Sequence, residues 1–276
     1  MGKAEWGADP EFFGPRHAHR EGRIVGTLRR FGSTSGQHLE CAAGVGSLSC
    51  SLARRGREVV AADRSLRSLL QLDGRAREAG LAAQILPVVA DITRLPFADE
   101  SFASATTAET LEHLPDDAAA AGELSRVLRH GGWLVGTVPA NPRQWSDWDD
   151  WGGHLRRYTV GGMRELLAGV GLDARVMVWG WPFQRLYDEL FLTRVNRRRL
   201  RTDGPLEQDP ALRRVAGLGH SRWLVSVVRG FFEIDRLFDG LPWGVGLIFA
   251  AQKPPEVVVA RPARAVGRTV PAPTCP

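Results

Sequence analysis

The sequence predicts an α/β protein: a seven-stranded, mostly parallel sheet with helices on both faces, an antiparallel last strand, and a helical insertion between the last two strands. Three observations predict it. Short apolar runs alternate with helical patterns through residues 36–139, as parallel strands joined by right-handed crossovers require. A long, irregular helical stretch, residues 182–240, then interrupts the rhythm. After it LPWGVGLIFAAQK supplies one more strand behind a Pro/Gly turn, and a strand arriving after such an excursion enters readily as an antiparallel edge strand.

Each element has its own warrant. In RHAHREGRIVGTLRRFG the apolar residues Ile24, Val25, Leu28 and Phe31 share one helical face, so residues 1–35 read as a helical approach segment. Strands are expected at Gln37–Ala42, Glu58–Ala62, Gln84–Ala90, Ser101–Thr107 and Trp133–Val138, with helices Ser47–Arg55, Ser65–Ala79 and Asp117–Leu128 between them. A polar and aromatic loop, Asn141–Gly153, carries Trp145, Trp148 and Trp151. Thr159 can cap a helix running to about Ala168, and Leu172–Trp179 is the sixth strand. The main domain is therefore expected over 36–253, with the insertion or substrate cap at 182–240 and a disordered, Pro/Ala/Val/Arg-rich tail at 254–276.

Composition narrows the classes. The chain of 276 residues is 43% hydrophobic and 24% charged, which suits a globular protein. Its net charge of +5 is not by itself a nucleic-acid signature, because the basic residues must also form one surface. The densest run, Arg194 with Arg197–Arg199 and Arg201, reads either as a phosphate or anionic-surface contact or as a solvated helix face. Three cysteines make no disulfide framework and no metal-ligand spacing with histidine, so no metal is expected and a cytoplasmic setting is the default. MGKAEWGADPEFFG lacks a signal-peptide core, and no stretch has the ~18 apolar residues of a membrane span.

The candidate site lies at the carboxyl ends of the strands, where open parallel sheets collect ligands. HLECAAGVG places Glu40 on the first strand and Gly44 and Gly46 in the following turn, where glycine lets backbone approach a ligand. Asp63, with Arg64 beside it, ends the second strand and can accept both hydroxyls of a ribose. Asp91 ends the third and can face an adenine amino group, with Ile92 packing on the ring. Three strand-end carboxylates in this order make a nucleotide cofactor the expected ligand.

These segments, with DITRLPFADESF, TTAETLEHLPD, ELSRVLRHGGWLVGTVP and GGHLRRYTVGGMRELLAGVGL following in order, resemble the class I S-adenosylmethionine-dependent methyltransferases. More narrowly, the chain resembles the large group related to ubiquinone and menaquinone biosynthesis methyltransferases, over about residues 12–253. The resemblance implies a Rossmann-like sheet, with S-adenosyl-L-methionine as cofactor and S-adenosyl-L-homocysteine as product. It implies that Glu40, Ala42, Gly44 and Gly46 line the cofactor and that Glu109 sits at its methionine amino end. Two positions depart from the family pattern. Ala42 stands where the first loop glycine would be, which is tolerated if its backbone angles stay in an ordinary region. Ala103 replaces an aspartate after Phe102.

Methyl transfer from a sulfonium needs alignment of the acceptor with the methyl carbon, and a base if the acceptor carries a proton. His113 and His154 are the candidate bases, set against roles in loop packing. Arg157 and Tyr158 read either as substrate contacts or as anchors of the loop. Trp145 and the cluster Trp179, Trp181 and Phe183 are candidate walls of an apolar acceptor pocket, or a satellite core under the insertion. The expected partner is a small-molecule acceptor, first an apolar or aromatic secondary metabolite methylated on oxygen. A polyprenyl or lipid-linked acceptor with peripheral membrane contact, N- or C-methylation, and a degenerate cofactor-binding protein are the alternatives. A nucleic-acid substrate is disfavoured, since Ala108-Glu109-Thr110-Leu111 stands where an Asn-Pro-Pro-Tyr motif would be. Monomer and homodimer both stay open.

Overall fold

A computed structural model describes residues 14–31, 36–194 and 221–256. Helix α1 (Pro15–Phe31) precedes β1 (His38–Cys41), α2 (Ser47–Ala53), β2 (Val59–Asp63), α3 (Leu66–Glu78), β3 (Ile85–Val89) and β4 (Phe102–Ala108). Then come α4 (Asp117–Val127), β5 (Leu128–Pro139), α5 (Asp147–Gly152), α6 (Val160–Gly169) and β6 (Asp173–Trp179). The insertion contributes α7 (Phe183–Tyr187), which runs into a π-helical turn, and α8 (Arg222–Ile234); β7 (Gly246–Gln252) closes the sheet. The Arg197–Arg201 run and the tail from residue 257 lie outside the described residues.

The sheet has seven strands in the order β3-β2-β1-β4-β5-β7-β6, parallel except for β7, which is antiparallel to both neighbours. The expectation of an antiparallel last strand therefore holds, but not that of an edge strand. β7 fills the slot between β5 and β6 and leaves β6 outermost. Its sequence explains this: Gly246–Ala251 is buried throughout, as a strand covered on both faces must be. Gly136 of β5 is part of the fit, since a Cβ there would lie 2.4 Å from both the Phe249 ring and the Thr107 carbonyl oxygen.

β1 has weak strand propensity, and its polar residues are satisfied by its neighbours. The buried His38 ring contacts the Ser104 and Thr106 hydroxyls, each at 2.9 Å. Burial, reinforced by Arg57, lowers its pKa to about 3, so the ring stays neutral. Leu39 and Cys41 point into one core layer, formed with α4 and α6. The other layer holds Ile24, Val25 and Leu28 of α1 against α2 and α3, and Phe31 stacks on Trp133 at 5.1 Å. Helix starts follow their caps: the side chains of Ser65, Asp116 and Thr159 accept from the Ser68, Ala119 and Gly162 amides. β6 is covered on one face only. Val176 and Val178 are buried, whereas Arg175 and Met177 look outward.

Candidate active site

The turn after β1 is shaped by three departures from ordinary backbone at alternate positions. Ala42, Gly44 and Gly46 have φ of 57°, 53° and 79°. Only the glycines adopt this region without steric cost, so the expectation that Ala42 keeps ordinary angles is corrected. Gly46 is also sterically required, because a Cβ would stand 2.4 Å from Leu72 Cγ. The turn is tied to the next strand: the Gly44 amide donates to Asp63 Oδ2 at 2.9 Å, and Asp63 Oδ1 accepts from the Ser65 amide at 2.8 Å. Glu40 is buried and accepts from the Ser49 hydroxyl.

Asp91 lies exposed at the end of β3, its Oδ1 taking the Thr93 amide and hydroxyl at 2.8 and 2.7 Å. Those bonds, with Arg64 nearby, hold its carboxyl below the usual range, so it is charged at neutral pH. Ile92 is buried in the core layer beneath it. The structure thus brings Glu40, Gly44, Gly46 and Asp63 together at the first two strand ends and sets Asp91 at the third. These groups fit a cofactor with a ribose and an adenine: backbone freed for close approach by glycines, then two carboxylates with acceptor capacity to spare.

Next along the sheet lies a dense group of ionisable residues. Glu109, at the end of β4, has φ 52° and donates its amide to the Thr137 carbonyl at 2.8 Å. Strained backbone of this kind persists where surrounding structure fixes it, and often marks a functional position. Although burial opposes its ionisation, Arg20 and Arg16 hold the Glu109 carboxyl below its usual range. Glu112 is the opposite case: it is fully buried, and neither carboxylate oxygen has a hydrogen-bond partner. Burial and the nearby Glu109 charge push its pKa well up, which favours the protonated form of Glu112.

His113 and His154 meet over this floor with ring centroids 4.7 Å apart, edge to face. His154 Nδ1 is 2.8 Å from Asp149 Oδ1. Asp149 is fully buried and also accepts from Arg157 Nε at 2.8 Å, Arg157 Nη2 at 2.9 Å, the Ser146 amide at 2.8 Å and its hydroxyl at 3.0 Å. Burial opposes its charge, but the His154 and Arg157 bonds hold it strongly ionised. An ionised Asp149 fixes Nδ1–H on His154 and leaves Nε2 as a base. Donor atoms of Glu112, His113 and His154 lie within 4.8 Å of one another, close enough to share a proton or hold a cation.

Of the other expected site residues, only Arg157 joins this cluster. Arg157 is gripped by Asp149, and Tyr158 is buried with its hydroxyl 2.7 Å from Asp117 Oδ2. Trp145 is half-exposed and donates from its indole to Asp150. Trp179 is buried below His19 and Arg23 of α1. Trp181 packs against Phe238 and Trp243, and Phe183 lies 6.2 Å from Phe231. The sequence reading did not single out Asp149, Glu112, Arg16 or Arg20. Asp149 had a local signal, the Ser146-x-x-Asp149 capping box that opens α5.

Residues 39–136 match the family model described as a methyltransferase domain. This stretch, β1 through most of β5, is what the chain shares with class I S-adenosylmethionine-dependent methyltransferases of the quinone type. Among curated proteins, the demethylmenaquinone methyltransferase of Clavibacter sepedonicus is 40% identical over 112 residues, which is 40% of this chain and 44% of that protein. The chain thus spans less than half the length of this relative. Two solved structures share the fold over more of the chain. The [4+2]-cyclase SpnF has a TM-score of 0.61 at 20% identity, covering 87% of this chain and 83% of that one. Phosphoethanolamine N-methyltransferase 2 of Haemonchus contortus, in complex with S-adenosyl-L-methionine, has a TM-score of 0.58 at 19% identity, covering 84% and 52%. A cyclase and a transferase on one scaffold show that the fold alone does not set the reaction.

Proposed function

We propose that this chain transfers a methyl group from S-adenosylmethionine to a small hydroxylated ring, with His154 as the base that takes the acceptor's proton. The observation that carries this reading is the Asp149–His154 pair at 2.8 Å, facing His113 at the strand ends where the acceptor would meet the cofactor. The bound cofactor supplies an electrophilic methyl on a sulfonium. Gly44 and Gly46 would admit its methionine part, Asp63 would hold the ribose hydroxyls and Asp91 the adenine end. Glu109, its carboxyl held below the usual range by Arg20 and Arg16, would take the cofactor's amino group. His154 Nε2 removes the hydroxyl proton, and the resulting oxyanion makes either its oxygen or its ring carbon nucleophilic.

Carbon methylation of a quinol-type ring is the first reading, supported by the demethylmenaquinone methyltransferase among relatives of the cofactor half. Oxygen methylation of an aromatic metabolite uses the same base and is the second. Calorimetric titration with S-adenosylhomocysteine tests the cofactor step, and its absence ends the reading. Demethylmenaquinol and hydroxylated aromatics are then offered with labelled cofactor, and carbon and oxygen products are separated by NMR. A His154→Gln protein is expected to lose about 10²–10⁴-fold in turnover, least at high pH where the acceptor ionises unaided. Wild-type turnover of this variant between about pH 6 and 9 removes His154 as the base.

A further inference from the structure

The face opposite the α4–α6 layer carries a surface apart from the strand-end carboxylates and histidines described above. On α8 the side chains of Trp223, Val227, Phe231 and Ile234 recur at helical spacing and are all exposed, Trp223 to 74%. One turn further Leu237 is 81% exposed. The same helix already buries Phe232 against the protein, so this is a second apolar side. Phe183, Leu186 and Leu190, also exposed, form a neighbouring row, and the Phe183–Phe231 contact joins the two. A contiguous apolar patch of this kind, with a tryptophan at its margin, marks an interaction surface.

Beside the stripe is a cleft of about 500 Å³ between α1 and the open face of β6, with Ile248, Phe249 and Ala250 of β7 also in its lining. Arg23, Arg30, Arg164, Arg175 and Arg236 line it against the single carboxylate of Asp239. Arg23 is 4% exposed; its Nη2 bonds Asp239 at 2.6 Å, and its Nη1 has no partner. Arg236 pairs with Glu233 at 2.9 Å. Arg30, Arg164 and Arg175 have no carboxylate ion pair among the described residues, and Arg30 and Arg175 flank the Phe31 ring. Cleft and stripe adjoin along the chain, where Arg236 lines the one and the next residue, Leu237, extends the other.

We propose that stripe and cleft together form a docking face for an anionic lipid bilayer. The α8 row enters the headgroup boundary while the cleft arginines take lipid phosphates. Charge complementarity favours this occupant. A guanidinium fork matches a phosphate in geometry, and arginines without a carboxylate partner among the described residues, on the same surface as exposed tryptophan and phenylalanine, suit the polar–apolar boundary of a membrane surface. The inference is independent of the acceptor and the base assigned above.

The test is co-sedimentation of the full chain, without cofactor or acceptor, with phosphatidylcholine vesicles containing or lacking phosphatidylglycerol. The wild-type protein is expected to bind the anionic vesicles about tenfold or more better than the neutral ones, with binding weakened by salt. Paired Arg30→Glu and Arg175→Glu substitutions, both on exposed residues, are expected to remove that preference. Trp223→Ser with Leu237→Ser is expected to weaken binding about tenfold or more with the thermal midpoint unchanged. Equal binding to both vesicle types, or none, overturns the proposal. So does stabilisation by inorganic phosphate that the arginine variants abolish while vesicles stay unbound, which assigns the cleft to a free anion. A light-scattering dimer split by Trp223→Ser with Leu237→Ser, without vesicle binding, overturns it in favour of a second copy.

Discussion

Replacing Ala42 by glycine should make this protein more stable, although the change deletes a side-chain carbon. Ala42 sits at φ 57°, where an L-residue other than glycine crowds its own carbonyl at a cost of ~1–2 kcal/mol. Its side chain is exposed, so removing Cβ forfeits no packing. Against the gain stands the greater freedom of glycine in the unfolded chain, ~0.4–1 kcal/mol. The difference is a net stabilisation of up to ~1.6 kcal/mol, which for a domain of this size raises the midpoint by up to about 6 °C. Urea unfolding at neutral pH, monitored by tryptophan fluorescence, measures the free energy, and calorimetry the midpoint. A loss of stability would refute the reasoning. It would mean either that the left-handed conformation is absent in solution or that the methyl makes a contact of its own.

Gly46→Ala tests the neighbouring position in the opposite direction. A Cβ 2.4 Å from Leu72 adds overpacking to the left-handed strain, for a loss of ~2–4 kcal/mol in chemical denaturation and a matching loss of S-adenosylhomocysteine affinity. Glu112→Gln probes the buried carboxyl. A folded pKa raised above the unfolded value favours folding below about pH 4.5 and loses that contribution as pH rises through the folded pKa. The glutamine variant should therefore match the wild type near pH 4.5 and exceed it increasingly at higher pH, and a pH-independent difference contradicts the assignment. Asp149→Asn leaves Arg157 with an uncharged partner in a buried site, at a cost of ~3–5 kcal/mol by denaturation. Because it also frees the His154 tautomer, turnover should drop about 10–100-fold beyond the loss of folded protein, with KM little changed.

The elements were legible because their signals are local. The cap residues Ser65 and Thr159, the apolar face of α1 and the alternating strands each announce themselves within a few positions. The slot of β7 depends on which neighbours complete the sheet, and a strand buried on both faces reads much the same at either place. The candidate cofactor end was legible for the same reason as the elements: Glu40 lies on β1, and Asp63 and Asp91 stand at or just past the ends of β2 and β3. The candidate acceptor end was only half legible. His113 and His154 stood out as residue types, but Asp149 became visible only when the α5 cap folded it beneath His154. Glu112 gave no signal, since its raised pKa arises from burial and from Glu109. The conformation of Ala42 ran against its residue type, and no propensity reports that. In α8 the amphipathic spacing is plain, but which apolar side meets α1 and which meets solvent is settled by packing.

The register of the last two strands has an evolutionary consequence. Trp179 and Gly246 face each other across the β6–β7 ladder, and the Val245 amide donates to the Trp179 carbonyl at 3.0 Å. Everything between them, residues 180–245, leaves and returns at one point, so topologically it is the tip of a hairpin. A closed excursion can double in length for only ~0.6 kcal/mol of chain entropy, without moving a single strand pair. Mutation can therefore lengthen, shorten or exchange this segment while the turn after β1 and the carboxylates of β2 and β3 stay in place. An acceptor-binding or docking role carried by this segment, as proposed above, could therefore change while the strand-end carboxylates keep their places.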